Sequence, residues 1–437
     1  MKNITLLVLL FLNYSIAHPQ LLKEEKKINS FIDANDPDAL KLLEEVVNIN
    51  SGSMNFDGVY KVGQIFKSRL DALGFKTQWI GGKPFGRSGH LVGYHTGNGT
   101  GKTLLLIGHL DTVFEPSSPF QQYTMIDDST ATGPGVSDMK GGDVIMVYSL
   151  EALKQAGLLK DMNLIVVMTG DEESAGRPLE LARKDLMEAA KTADIAIGFE
   201  DGKSDPKTGV SSRRGASGWE LKVSGVPAHS SQIFTSTIGA GAIYETSRIL
   251  TEFYEKLSVE KDLTFNPGFI LGGSDVKQEE KMNGGSAYGK SNIVAKETIV
   301  KGDIRAVSPE QLKKAENIMQ QIVANHLPQT EATLIFIEGY PPLAPKEGNY
   351  KLLEYYTKVS EDLGLGKVVA VNPRDAGAAD ISFTAGFVEM AIDGLGLPGG
   401  YGHTEKEYAN LKWLSRQTKR AAILLYRLTQ NPISKKR

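Results

Sequence analysis

Two short spacings and three isolated residues carry side chains that could do chemistry together. His109-x-Asp111 puts an imidazole and a carboxylate on one face of an extended segment, where the carboxylate can take the ring's second N–H and fix its tautomer for metal binding. Glu172-Glu173 points two adjacent carboxylates to opposite sides of the chain, so one can hold a metal while the other faces a water. Glu200 and His403 stand alone, and Asp138 lies in Gly133-Pro134-Gly135-Val136-Ser137-Asp138-Met139-Lys140-Gly141-Gly142, just ahead of a helical pattern. Taken singly, each has an ordinary reading: a surface or turn histidine, a solvated acidic turn, a helix N-cap. The chain has 437 residues and no cysteine, so any metal must be held by His, Asp and Glu, of which only seven are His. A sulfur-free oxygen and nitrogen set suits zinc at catalytic sites that keep a position open.

The elements that would position these residues follow from apolar runs. Thr103–Ile107 leads into Gly108-His109-Leu110-Asp111, Asn163–Met168 into Thr169-Gly170-Asp171-Glu172-Glu173, and Ile195–Ile197 into Gly198-Phe199-Glu200. Val388–Ile392 leads into Asp393-Gly394-Leu395-Gly396 and on to Gly402-His403. Open α/β sheets bind ligands outside the carboxyl ends of their strands, which is where the histidines and glutamates fall. Helical spacing over 36–80 (Leu40, Leu42, Leu43, Val46, Val47, then Val59, Val62, Ile65, Phe66, Leu70) and over Gly142–Gln155 predicts the alternating helices of an α/β domain with a mainly parallel sheet and helices on both faces. The glycine-rich Pro398–Gly402 segment, with Gly399 and Gly400, lets the backbone approach a ligand closely.

Between Arg213-Arg214-Gly215-Ala216-Ser217-Gly218 and the Pro-rich Tyr340–Pro345, something is inserted. Strands at Trp219–Val223, Ile299–Ile304 and Thr333–Ile337, with helices at Ile238–Leu257 and Pro309–His326, predict a ferredoxin-like βαββαβ insertion of about 120 residues. The expected division is 1–17, 18–216, 217–337 as the insertion, and 338–437.

Composition bounds the rest. The 49 basic and 52 acidic side chains leave a net charge of −3, without the basic footprint of a nucleic-acid binder. Hydrophobic content of 41% and charged content of 23% exclude a largely disordered chain. Met1-Lys2-Asn3, the apolar Ile4–Leu12 and Asn13-Tyr14-Ser15-Ile16-Ala17 read as a secretory signal cleaved near Ala17, which predicts an exported, periplasmic or secreted protein without stable membrane insertion. His90, His95 and His326 have no partner pattern and read as structural, and the basic Lys435-Lys436-Arg437 reads as solvated.

In their order, the segments GHLDTV (108–113), GPGVSDMKGG (133–142), TGDEESAG (169–176), GFE (198–200), VPAHSS (226–231), SNIVA (291–295), DIRAV (303–307) and GLGLPGGYGHTEKEY (394–408) resemble one superfamily. It is that of the di-zinc exopeptidases and deacylases, including bacterial glutamate carboxypeptidase, aminoacylase, acetylornithine deacetylase and succinyl-diaminopimelate desuccinylase. The ending and the length look most like the glutamate carboxypeptidase branch. The resemblance implies two Zn2+ per subunit: His109, Asp138 and Glu200 on one, Asp138, Glu173 and His403 on the other, with Asp138 bridging. It implies Glu172 as general base, Asp111 orienting His109, and a cis peptide at Asp138–Met139. It further implies His229 as a lid histidine reaching a partner subunit's site, and Asn292 and Arg305 as carboxylate-binding lid positions. Gly399 and Gly400 complete the expected substrate-binding set, and Ala295 departs from the proline frequent at that place in the family.

The implied activity is hydrolysis of an amide bond next to a free carboxylate in a small-molecule or peptide substrate, releasing C-terminal glutamate from an N-acyl or peptidyl, folate-like conjugate. The insertion would then be both lid and homodimer contact. An aminoacylase, N-deacylase or dipeptidase with the same metals is the alternative, and a metal-free binding protein on the same fold is the rival from another class. Side-chain preference is left to lid contacts, with Arg213, Arg214 and the loop Asn372–Asp380 as contributors.

Overall fold

The computed structural model describes residues 21–279 and 284–430; the signal segment and the basic end, as read from the sequence, lie outside the described residues. Leu104-Leu105-Leu106-Ile107 and Leu164-Ile165-Val166-Val167-Met168 are apolar without a break, as strands covered on both faces must be. They lie at the centre of a six-stranded sheet in the order Lys76–Gly81, Gly89–His95, Asn163–Thr169, Thr103–His109, Ile195–Gly198, Met390–Ile392. The last four pair in parallel and the first two are antiparallel additions at one edge. Successive side chains go to opposite faces. Leu104, Leu106, Val166 and Ile197 pack under the helices Lys23–Val47, Lys140–Gln155 and Leu414–Gln430, while Leu105, Ile107, Val167 and Ala196 meet Leu186 and Ala190 of Lys184–Thr192. All four parallel strands end at the same edge of the sheet.

The first helical stretch differs from the expectation over 36–80. Two helices occupy it, Lys23–Val47 and Phe56–Leu73, and Lys76–Gly81 is a strand. The first helix begins upstream of the expected start and contains Pro37, its buried Ile28 and Ile32 extending the apolar stripe. Gly74, at φ +97°, ends the second helix in the left-handed region, where a side chain would be strained.

The strands Ala216–Gly225, Thr264–Gly273, Glu297–Arg305 and Thr330–Tyr340 form a second sheet, all antiparallel, in the spatial order second, third, first, fourth. Helices Gly241–Leu257 and Pro309–Val323 cover it around Trp219, Ile249, Phe253, Val300 and Met319. The helix expected from Ile238 begins only at Gly241, because Gly239 and Gly241 are both left-handed, at φ +70° and +77°. A hairpin, Asp275–Glu279 with Gly284–Tyr288, stands between the second and third strands and was not expected. The chain enters and leaves this body side by side: Arg213 and Leu343 exchange backbone hydrogen bonds, each at 3.0 Å. Among the described residues no helix is long and apolar enough to cross a membrane.

Candidate metal centre

The common edge of the parallel strands gathers the acids and histidines. His109 is the last residue of its strand, Glu172 and Glu173 follow Thr169, and Glu200 follows Gly198. Asp138 precedes the Lys140–Gln155 helix and its peptide bond to Met139 is cis. His403 comes from the far glycine-rich loop with φ +62°.

Two triads result, sharing one residue. His109 Nε2 lies 3.3 Å from Asp138 Oδ1 and 3.3 Å from Glu200 Oε1. His403 Nε2 lies 3.0 Å from Asp138 Oδ2 and 3.1 Å from Glu173 Oε2. Within each triad the candidate ligand atoms lie within 4.8 Å of one another. His109 Nε2 and Glu173 Oε1 are buried without a hydrogen-bond partner, a costly arrangement unless a cation completes it. Oxygen and nitrogen donors without sulfur match zinc, so the residues present fit a pair of such ions.

The electrostatics carry the same message. Burial and the neighbouring Asp138 push Glu200 up to about 7, and burial raises Glu172 well above the usual carboxylate range. Hydrogen bonds to Asp138 and Glu173 push His403 up to about 11. Burial pulls His109 down, but Glu200, Asp111 and Asp138 outweigh it and leave the ring well above its ordinary value. Without metal the cluster is neutralised by protons; positive charge placed between the triads would release them.

Asp111 organises the inner wall. Its carboxylate accepts from the Ser53 hydroxyl at 2.6 Å and from the backbone amides of Glu172 at 2.9 Å and Glu173 at 3.1 Å. His109 Nδ1 is 3.1 Å from the Asp111 carbonyl oxygen and 3.5 Å from its carboxylate, so the backbone oxygen is the closer partner for the ring.

A cavity of about 330 Å³ opens over the triads, lined by Asp138, Glu172, Glu200 and His403 and walled by Arg213 and residues 375–379. Arg214 does not line it; its guanidinium donates to Thr264 Oγ1 at 2.8 Å and to the Arg374 carbonyl at 3.0 Å. His229, Asn292 and Arg305 do not line it either. His229 is exposed beside Asn292, whose carbonyl accepts from the Ser230 amide at 2.8 Å, and Arg305 pairs with Asp303 at 3.1 Å. Gly399 and Gly400 serve close packing: a side chain at Gly399 would meet Ser137 Cβ at 2.5 Å, and it is Gly402 that reaches the cavity.

Two further residues at the site were not singled out from the sequence. Asp393 accepts from the Glu200 amide at 3.2 Å and from Arg213 Nε at 2.9 Å. Glu407 is buried and accepts from the amides of Gly135, Ser137 and Asp138 at 3.1, 2.9 and 3.1 Å. Its place in Glu405-Lys406-Glu407 looks like a solvated charge run, whereas Asp393 follows a predicted strand and that position was the available signal.

Comparison with known proteins agrees with this geometry. Residues 105–427 match the family described as peptidase family M20/M25/M40. The chain is 26% identical over 396 residues to carboxypeptidase G2 of Pseudomonas sp. (strain RS-16), covering 89% of each. Its fold resembles that of the aminopeptidase PepT from Bacillus cereus, with TM-score 0.71 and 16% identity over 90% of this chain and 99% of that one. It also resembles a dinuclear metal-binding M20 peptidase of Bacillus subtilis, with TM-score 0.62 and 12% identity over 91% and 99%.

Proposed function

Because the chain belongs to peptidase family M20/M25/M40, we propose that this metallopeptidase is an exported carboxypeptidase that releases C-terminal glutamate from N-acyl or peptidyl, folate-like conjugates. The observation that carries the reading is the pair of triads sharing Asp138, one of which contains the His109 Nε2 that has no hydrogen-bond partner. His109, Asp138 and Glu200 would hold one zinc ion, and Asp138, Glu173 and His403 the other. When bound, such a pair supplies Lewis acidity and a lowered pKa for water.

The chain's own residues do the rest. Glu172 lines the cavity beside the triads and is the candidate to take a proton from the attacking water and return it to the departing amine. Asp111 holds the backbone of Glu172 and Glu173 while facing His109, so base and ligands keep one geometry. Arg305, a planar fork suited to carboxylates, and Asn292 belong to the second body. With His229 they would meet substrate across a homodimer, the partner subunit's His229 steadying the developing oxyanion. The likeness to carboxypeptidase G2 supports cleavage at a free carboxyl end.

The test is glutamate release from a pteroyl-glutamate conjugate by the zinc-loaded protein, with and without chelator, beside N-acetyl amino acids and dipeptides. Release that the chelator abolishes and zinc restores is the expected result. Turnover confined to N-acetyl amino acids or dipeptides would replace the glutamate reading with the aminoacylase or dipeptidase one.

A further inference from the structure

The loop carrying Glu172 and Glu173 is gripped from below by Arg183, whose side chain has no exposed surface. Its Nη1 donates to Asp171 Oδ1 at 2.6 Å, its Nη2 to the Asp171 carbonyl at 3.1 Å, and its Nε to Asp380 Oδ1 at 2.7 Å. Nη2 also donates to the hydroxyl of Tyr340, and that hydroxyl donates to the carbonyl of Glu172 at 2.9 Å. The Tyr340 ring meets Phe383 edge-on with centroids 5.0 Å apart, and Arg183 lies over both rings at 5.3 and 5.6 Å.

Three distant stretches of chain therefore meet at one guanidinium: the loop after Thr169, Asp380 directly after the cavity wall 375–379, and the last residue of the Thr330–Tyr340 strand. Arg183 itself reaches Asp171 but not the next residue. The peptide groups on either side of the Glu172 Cα are held by different partners, Asp111 on the amide at 2.9 Å and Tyr340 on the carbonyl at 2.9 Å. Fixing both sets the direction of the side chain between them, and a misplacement of about 1 Å in a reacting group costs up to about a hundredfold in rate. Burial pushes the Tyr340 phenol well above its ordinary range, so it stays a donor across the working pH.

We propose that Tyr340 is a positioning residue for Glu172, pinning the backbone of the base from the strand by which the chain leaves the second body. The proposal rests on the reading of Glu172 as the base. It also gives the second body a direct hold on that backbone, through a hydroxyl on the last residue of its exit strand.

Tyr340→Phe tests it, since the ring keeps its contacts with Phe383 and Arg183 while the hydroxyl is lost. Expected in the zinc-loaded full chain are a kcat lower by about tenfold, a KM within about twofold, unchanged metal content, a native fold with a modestly lower melting temperature, and faster amide exchange over residues 170–176. An unchanged kcat with unchanged exchange overturns the proposal. So does a loss of activity that comes with lost metal or lost folding, which marks Tyr340 as structural only. Glu172→Gln run alongside separates the two readings: if it keeps full kcat, the base assignment fails, while the exchange measurement still reports whether Tyr340 pins the loop.

Discussion

Glu407 Oε1 accepts a hydrogen bond from the backbone amide of Asp138 at 3.1 Å, across 269 residues of chain. The same carboxylate takes the Ser137 amide and hydroxyl at 2.9 and 3.2 Å, and its other oxygen takes the Gly135 amide at 3.1 Å. The loop that presents His403 thus clamps the loop that presents the shared aspartate, and both triads depend on one buried carboxylate. Burial pushes Glu407 up to about 7, although three backbone donors pull it the other way.

Glu407→Gln turns one acceptor oxygen into a donor and leaves buried amides facing it. Metal affinity should fall by about 10–100-fold, with a lower melting temperature of the metal-free protein. Competition with a chromogenic chelator and a thermal scan check both; wild-type affinity in the variant would contradict the clamp.

Glu172→Gln keeps the shape and removes the carboxylate proposed as the base. With Glu172 on the cavity wall and in neither triad, kcat should fall by about 10²–10⁴-fold while bound metal stays at the wild-type level. Turnover assays beside elemental analysis distinguish this from the loss of a ligand.

The pH dependence of the metal-free protein has a definite sign. His403 is raised from 6.5 to about 11, so its ion pairs stabilise fully below about pH 6.5 and are lost as pH climbs toward 11. Glu200, raised from 4.5 to about 7, binds its proton more tightly when folded and loses stability between those values. Asp138 is lowered, and its opposite contribution changes only below pH 3.8. The melting temperature without metal should therefore fall from pH 6 to 9, while metal affinity rises as the same protons leave. Melting curves with and without chelator read the gap, and a metal-free protein that grows more stable over this range would contradict the assignment.

His229 is exposed and absent from its own chain's cavity wall, which fits a role in a partner's site. Mixing His229→Ala with Glu172→Ala should restore part of the activity through hybrid dimers that hold one intact site. Verified subunit exchange without recovery would remove the role in trans.

Much of this site is legible in the sequence because its parts are local. Leu104–Ile107 and Leu164–Met168 announce strands buried on both faces, and a parallel sheet puts whatever follows them at one edge, which is how His109, Glu172, Glu173 and Glu200 meet. Glu407 and Tyr340 are illegible for the complementary reason. Their partners are 269 and 168 residues away, and nothing in Glu405-Lys406-Glu407 or in Gly339-Tyr340-Pro341 marks a buried acceptor or donor. The pairing of Asp275–Glu279 with Gly284–Tyr288 is missed because Asp275-Val276-Lys277-Gln278-Glu279 has no run of large apolar residues and the two strands are mostly exposed. Gly399 and Gly400 show what composition leaves open: the glycines permit close approach, and the approach seen is to Ser137 and Tyr408.

The central claim is that Asp138 joins two metal sites, and anomalous diffraction at the zinc edge from crystals of the zinc-loaded protein tests it most directly. Two peaks per chain are predicted, one among His109, Asp138 and Glu200 and one among Asp138, Glu173 and His403, with Asp138 touching both. A single peak, or two peaks that do not share Asp138, would contradict it.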